Sequence, residues 1–82
     1  MLERFGVNRY FFNFRKGDEV SRDWVGMYLP DLDEARDEAL RTFHDLLLVA
    51  ERTGESPRDC EIQIADASGE PLLTIPFEHT RH

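Results

Sequence analysis

Hydrophobic residues follow two different spacings along this chain, and these spacings predict its secondary structure. Around 8–15, 59–65 and 71–77 they occupy every second position, which is typical of strands with one buried face. Between 32 and 53 they recur every three or four positions, which indicates an amphipathic helix. A turn at Lys16-Gly17-Asp18 favours one further strand, over Glu19–Asp23.

The order of these elements, β-β-α-β-β, sets the expected fold class. One long helix can cover one face of a four-stranded antiparallel sheet, so we expect an α+β fold arranged as a two-layer sandwich. A short extended piece, Met27–Leu29, should lead into the helix. Since only one helix is predicted, the other face of the sheet must meet water or a partner.

Strand alternation sorts the side chains onto the two faces of the predicted sheet. The face expected under the helix carries Tyr10, Phe12, Phe14, Cys60, Ile62, Ile64, Leu73, Ile75 and Phe77. The opposite face carries Phe11, Asn13, Arg15, Glu61, Gln63, Leu72 and Thr74.

The segment from Leu29 to Ala35 predicts an abrupt helix start. Asp31 can accept a hydrogen bond from the first turn, and Glu34 can return one to the Asp31 N–H group, which would complete a capping box. Pro30 disfavours helical geometry just before it, and Gly54 is the natural stop.

Two turns share the pattern Asp-x-x-Gly-x-x-Leu, one starting at Asp23 and the other at Asp66. Asp at the first and Gly at the fourth position favour a type I turn. The repeat could record a ββ duplication, but we prefer a chance recurrence of turn chemistry. Trp24, inside the first turn, is either an interface contact or a lid over the end of the core, and we prefer the lid.

Length and charge narrow the class of protein. The 82 residues predict one domain over 8–77, with a flexible lead-in at 1–7 and a polar tail at 78–82. A net charge of −7 disfavours nucleic acid as a partner. Cys60 is the single cysteine, no apolar stretch approaches the ~20 residues of a membrane span, and the N-terminus lacks a signal-peptide pattern. We therefore expect a cytoplasmic protein without disulfides.

Candidate chemistry is sparse. His79, His82 and Glu78 are too few and too close to the end of the chain to predict a zinc site. Cys60 falls on the inward side of a strand, where a small buried hydrophobic residue is a better interpretation than a nucleophile. The carboxylate pairs Asp33/Asp37, Glu34/Glu38 and Asp18/Glu19 occupy positions expected to be exposed, whereas catalytic carboxylates need partial burial. We therefore expect no catalytic residue, no metal, no cofactor and no enzymatic activity.

The uncovered sheet face is the best candidate for function in a non-catalytic interaction module, and an edge strand is the alternative binding surface. Phe11 and Leu72 could seed an apolar patch with a polar rim, which suits a protein partner or a homo-oligomer such as a homodimer. An ordinary solvated sheet face fits the pattern about as well. The candidate interface residues are Phe11, Asn13, Arg15, Gln63, Leu72, Thr74 and Trp24.

The landmarks together resemble a small uncharacterised bacterial family found in alphaproteobacteria. The chain opens with Arg-Tyr-Phe-Phe at 9–12, continues with Leu-Pro-Asp-Leu at 29–32, and closes with Pro76-Phe77. The resemblance spans roughly Asn8 to Phe77 and implies a domain of unknown function. It supplies no site residues.

A weaker resemblance connects the chain to HicB-type antitoxins, which also pass from a hairpin through Pro-Asp-Leu into a helix. Here those residues are Pro30-Asp31-Leu32, followed by Glu34-Ala35. The Gly-rich insert of that family is missing. With Arg9, Arg15 and Lys16, this resemblance implies the alternative function of an antitoxin-like or nucleic-acid-linked regulator.

Overall fold

The fold is known from a computed structural model that describes residues 8–54 and 57–77. The predicted lead-in at 1–7 and the tail at 78–82 lie outside the described residues. The elements are β1 Asn8–Lys16, β2 Glu19–Ser21, β3 Met27–Leu29, α1 Leu32–Arg52, a 3-10 turn Pro57–Asp59, β4 Cys60–Ala65 and β5 Pro71–Pro76.

All strand pairs are antiparallel, and the sheet order is β2-β1-β4-β5, with β3 also paired to β1. β1 is long enough to carry two short partners on one edge. Its residues 14–16 pair with β2, and its residues 8–10 pair with β3. On its other edge, β1 pairs with β4 over Phe11↔Ala65 to Lys16↔Cys60.

The α+β class is confirmed, with about five strands where we expected four. The difference is Met27–Leu29, which pairs with β1 as a strand of its own. The second strand ends at Ser21, two residues earlier than predicted, because Asp23 uses its backbone and side chain in a loop.

The helix starts and ends as predicted. The Asp31 side chain accepts a hydrogen bond from the Glu34 N–H group at 2.9 Å, and Gly54 follows the end of α1 with a φ of +79°. The apolar side of α1 packs onto β4 and β1. Its Phe43 is fully buried, and the Phe43 and Phe14 rings pack edge to face with their centres 5.8 Å apart. The predicted inward strand residues lie in or against this core.

The two edges of the sheet differ in construction. β5 is an edge strand that begins at Pro71, ends at Pro76 and carries a bulge opposite Ile64 and Ala65. Proline and bulges both interrupt the regular hydrogen-bonding groups that a further strand would need. The other edge consists of β2 and β3, which have three residues each and are separated by the 22–26 loop.

Candidate functional site

The sheet surface opposite α1, which we call the open face, carries the side chains assigned to it from the sequence. Its strand residues are Arg9, Phe11, Asn13, Arg15, Val20, Tyr28, Glu61, Gln63, Ala65, Thr74 and, at the bulge, Leu72. Among the described residues, the only long helix lies on the other side of the sheet.

Between β2 and β3, the middle of β1 has no strand partner on its outer edge, and Asp23 fills that gap. One carboxylate oxygen accepts a hydrogen bond from the Phe12 N–H group at 3.1 Å. The other accepts from the N–H groups of Val25 and Gly26, each at 3.0 Å. A single side chain therefore ties the 22–26 loop to β1 and also shapes the loop itself.

Asn13 extends this polar network across the open face. Its side-chain oxygen accepts a hydrogen bond from the Asp23 N–H group at 2.9 Å, and its amide nitrogen lies 3.5 Å from the Gln63 side-chain oxygen on β4. Asn13 thus connects the loop to the central pair of strands. We expect this to restrict the motion of the loop relative to the sheet.

Arg9 holds the outer end of the same loop. Its guanidinium donates to the Val25 carbonyl oxygen at 2.6 and 3.1 Å. The guanidinium carbon also lies 5.0 Å from the centre of the Phe11 ring and 5.7 Å from that of Tyr28. Such cation–π geometry favours one position of the guanidinium group.

Phe11 is less exposed than the sequence suggested. Its expected place in an apolar patch on the uncovered face implied an exposed ring, but Phe11 is half-buried, and Gly26 packs directly on its ring. A Cβ atom on Gly26 would lie 2.9 Å from Phe11 Cε2 and 3.0 Å from the Tyr10 carbonyl oxygen. The close approach of loop and strand therefore requires glycine at 26.

Trp24 is the most exposed large hydrophobic residue of the described chain, at 79%, and Val25 follows at 74%. The preferred interpretation of Trp24 as a lid over the core is therefore wrong. Hydrogen bonds to the flanking Asp23 and Val25 leave the Trp24 side chain projecting from a fixed loop. A braced loop presents such a group at a low cost in conformational entropy.

A cleft of about 320 Å³ lies on the open face beside Trp24. The 22–26 loop forms one wall with Arg22, Asp23 and Trp24, and the 66–69 turn forms the other with Asp66, Ala67 and Gly69. The floor consists of Phe11, Asn13, Gln63 and Ala65. Its volume is at the lower end of the range of ligand pockets, roughly 300–1,000 Å³, so it suits a single large side chain.

Two carboxylates of this surface have lowered pKa values for identifiable reasons. For Asp23, burial alone would raise the pKa, but the hydrogen bonds from backbone N–H groups and the nearby charge of Arg9 outweigh it. For Asp66, the hydrogen bond from the Ser68 hydroxyl lowers the pKa, with help from backbone N–H groups of its turn. Both side chains are therefore anionic at neutral pH.

Arg15 and Glu61 form a matched pair across β1 and β4. The guanidinium lies 2.8 Å from the carboxylate, and this hydrogen bond lowers the pKa of Glu61. Arg15 also donates to the Gly17 carbonyl oxygen at 2.6 Å. Because its charge is already neutralised by Glu61, Arg15 contributes little to a basic patch.

Charges on the open face and around the cleft balance each other. Among the described strand residues of this face and the residues that line the cleft, three side chains are positive, Arg9, Arg15 and Arg22, and three are negative, Asp23, Glu61 and Asp66. The net charge of −7 therefore resides on the rest of the chain. Much of it lies along the exposed side of α1, where Asp33, Glu34 and Asp37 are solvated.

The seven predicted interface residues occupy one surface but play different parts. Phe11, Asn13, Gln63 and Trp24 line the cleft, whereas Arg15, Leu72 and Thr74 lie outside it. The remaining lining residues were not among the predicted ones: Arg22, Asp23, Ala65, Asp66, Ala67 and Gly69. The shared Asp-x-x-Gly pattern was a usable signal, because both turns border the same cleft.

Other chemistry has little support in the described part of the chain. No group of three metal-ligating side chains comes together there. Cys60 is only 2% exposed. The predicted tail residues Glu78, His79 and His82 lie outside the described residues. No described helix has the length and apolar character needed to cross a membrane.

No curated protein and no solved structure matches this chain. A family model does match it, over residues 9–78, a stretch that runs from the first residues of β1 past the end of β5. The matched stretch includes the open face, both walls of the cleft and the whole of α1. The chain therefore belongs to the family described as a domain of unknown function (DUF6894).

Proposed function

We propose that this domain is a non-catalytic protein-interaction or self-association module that binds through its open face. The observation that carries the proposal is Trp24, 79% exposed on a loop that Asp23 and Arg9 hold in place. Tryptophan is among the residue types that dominate binding energy in protein interfaces.

The surroundings of Trp24 support an interface. Val25, Tyr28, Val20 and Leu72 are exposed on the same loop or face, at 74, 44, 54 and 39%. The described arginines and carboxylates of this face and its cleft are equal in number, and Arg15 is paired with Glu61. An apolar centre with a polar rim is the usual composition of a binding surface.

The open face is a better binding surface than either edge of the sheet. Pro71, Pro76 and the bulge hinder strand addition at β5, and the opposite edge offers only three-residue strands. We therefore place binding on the face and not on an edge strand.

The test is a low-salt pull-down with tagged wild type, Trp24→Ala and Val49→Ala, performed on a lysate of the cells that naturally produce the protein. Val49 is a matched control, because it is 54% exposed on α1, away from the open face. We expect wild type and Val49→Ala to retain the same protein in stoichiometric amount, or a second copy of the chain. Trp24→Ala should lose it. Equal recovery by all three variants would refute binding through Trp24.

A nuclease-treated arm of the same experiment addresses the alternative, an antitoxin-like or nucleic-acid-linked regulator. The structure gives that alternative less support than the sequence did, since Arg9 is bound to the Val25 carbonyl and Arg15 to Glu61. Recovery that disappears with nuclease and with added salt would favour it over a protein partner.

A further inference from the structure

We propose that the occupant of the open face is a second copy of this chain, with Trp24 of each copy seated in the cleft of the other. This inference rests on the proposed function and names its partner. The two copies would be related by a two-fold axis and would use the same surface, as in most homodimers.

The arrangement of the cleft makes this surface complementary to itself. The 22–26 loop and the 66–69 turn stand on opposite sides of a floor formed by β1 and β4. A two-fold axis parallel to these strands, lying between two facing sheets, places the loop of each copy over the turn of the other. Trp24 then lies above Ala67 and Gly69 of the second copy, at the mouth of a cleft of about 320 Å³.

The same operation brings opposite charges together. Arg22 stands on the loop wall and Asp66 on the turn wall, so each arginine of the pair would face an aspartate of the other copy. Asp66 uses one carboxylate oxygen, Oδ1, for the hydrogen bonds of its own turn. Its second oxygen is available to a guanidinium group.

Electrostatics also favour this face over the rest of the surface for contact between identical chains. Two copies that each carry a charge of −7 repel one another wherever acidic surfaces meet. The described strand residues of the open face and the cleft walls carry equal numbers of arginines and carboxylates, so contact through them adds little to that repulsion. The acidic side of α1 would remain in solvent on both outer surfaces of the dimer.

The experiment measures the mass of the purified full chain by sedimentation over a wide range of concentration. We expect a monomer–dimer equilibrium, and Trp24→Ala should weaken it by about 1,000-fold, because the substitution removes a hot-spot residue from both copies. Val49→Ala should leave it unchanged. A wild-type chain that stays monomeric throughout, or a dimer of unchanged affinity in Trp24→Ala, would overturn the proposal.

A charge exchange tests the two-fold arrangement itself. Arg22→Glu and Asp66→Arg should each dimerise poorly, because each homodimer would contain two repulsive pairs. Mixing the two variants should restore a dimer, since both pairs in the mixed dimer are complementary. Arg36→Glu, a reversal on exposed α1, is the control and should have no effect. Absence of restoration in the mixture, with both variants folded by circular dichroism, would contradict the arrangement.

The two proposals can fail separately. If the purified chain is monomeric while a different protein is captured in a Trp24-dependent way, the open face binds but its occupant is not a second copy. If neither self-association nor capture depends on Trp24, the proposed function itself is wrong.

Discussion

The two Asp-x-x-Gly loops of this protein have the same sequence pattern and different structural roles. In the 66–69 turn, the Asp66 side chain accepts hydrogen bonds from Ser68 and Glu70, and the Asp66 carbonyl oxygen accepts one from the Gly69 N–H group at 2.9 Å. These donors all lie within four residues of Asp66. In the 22–26 loop, the Asp23 side chain also accepts a hydrogen bond from the N–H group of Phe12 on β1, eleven residues earlier in the chain.

The glycines of the two loops differ in the same way. Gly26 and Gly69 both have a positive φ, of 76° and 88°. A Cβ atom would have nothing within 4 Å at Gly69 but would clash with Phe11 at Gly26. The turn motif therefore predicts the local bend of the backbone. The loss of stability on replacing its glycine depends on which residues of the rest of the fold pack against that glycine.

Replacing the two glycines should give the largest contrast. Gly69→Ala meets only the strain of a left-handed backbone and should lower the free energy of unfolding by about 1 kcal/mol. Gly26→Ala adds a clash with the Phe11 ring and should cost about 3 kcal/mol, out of roughly 4–12 for a domain of this size. Urea unfolding followed by far-UV circular dichroism measures both. Equal losses would mean that the loop moves away from β1 without cost.

Replacing the two aspartates should give a smaller contrast in the same direction. Asp23→Ala removes the acceptor of three backbone N–H groups and should cost about 2 kcal/mol. Asp66→Ala affects an exposed turn and should cost less. The same unfolding experiment provides the comparison, and an Asp66 variant as unstable as the Asp23 variant would contradict it.

The smallest effect concerns the dependence of stability on pH. The folded-state pKa of Asp23 is lowered, so its contribution to stability is present above its unfolded pKa of about 3.9 and is lost as the pH falls through the folded value. Asp23→Asn should be less stable than wild type at neutral pH and should lose less stability on acidification below about pH 4. Glu61 and Asp66 titrate in both proteins, so the difference between the two curves isolates Asp23. If the stability of wild type and of Asp23→Asn changed with pH in parallel, the Asp23 carboxylate would not contribute to the pH dependence of stability.

Much of the fold follows from local sequence patterns. The faces of β1 and β4 were assigned correctly because alternation needs only neighbouring residues, and the start of α1 was fixed by Asp31 and Pro30. β3 was missed as a paired strand, since three residues are too few for a periodic pattern.

The candidate site was predictable only in part, because it depends on contacts between distant segments. The open face was predictable because one helix can cover only one of the two faces of the sheet. The cleft required Phe11 to pair with Ala65 across the sheet, and the exposure of Trp24 required Asp23 to anchor the loop on β1. No pattern near Trp24 contains that information, which is why the lid over the core was the wrong choice.

The exposure of Trp24 has a practical consequence for anyone who works with the protein. It is the single tryptophan of the chain, so all indole emission originates from the rim of the cleft. Because the ring is already in water in the folded state, its fluorescence should report little when the domain unfolds. It should shift to shorter wavelengths when something covers the cleft, so the protein carries its own optical sensor of occupancy.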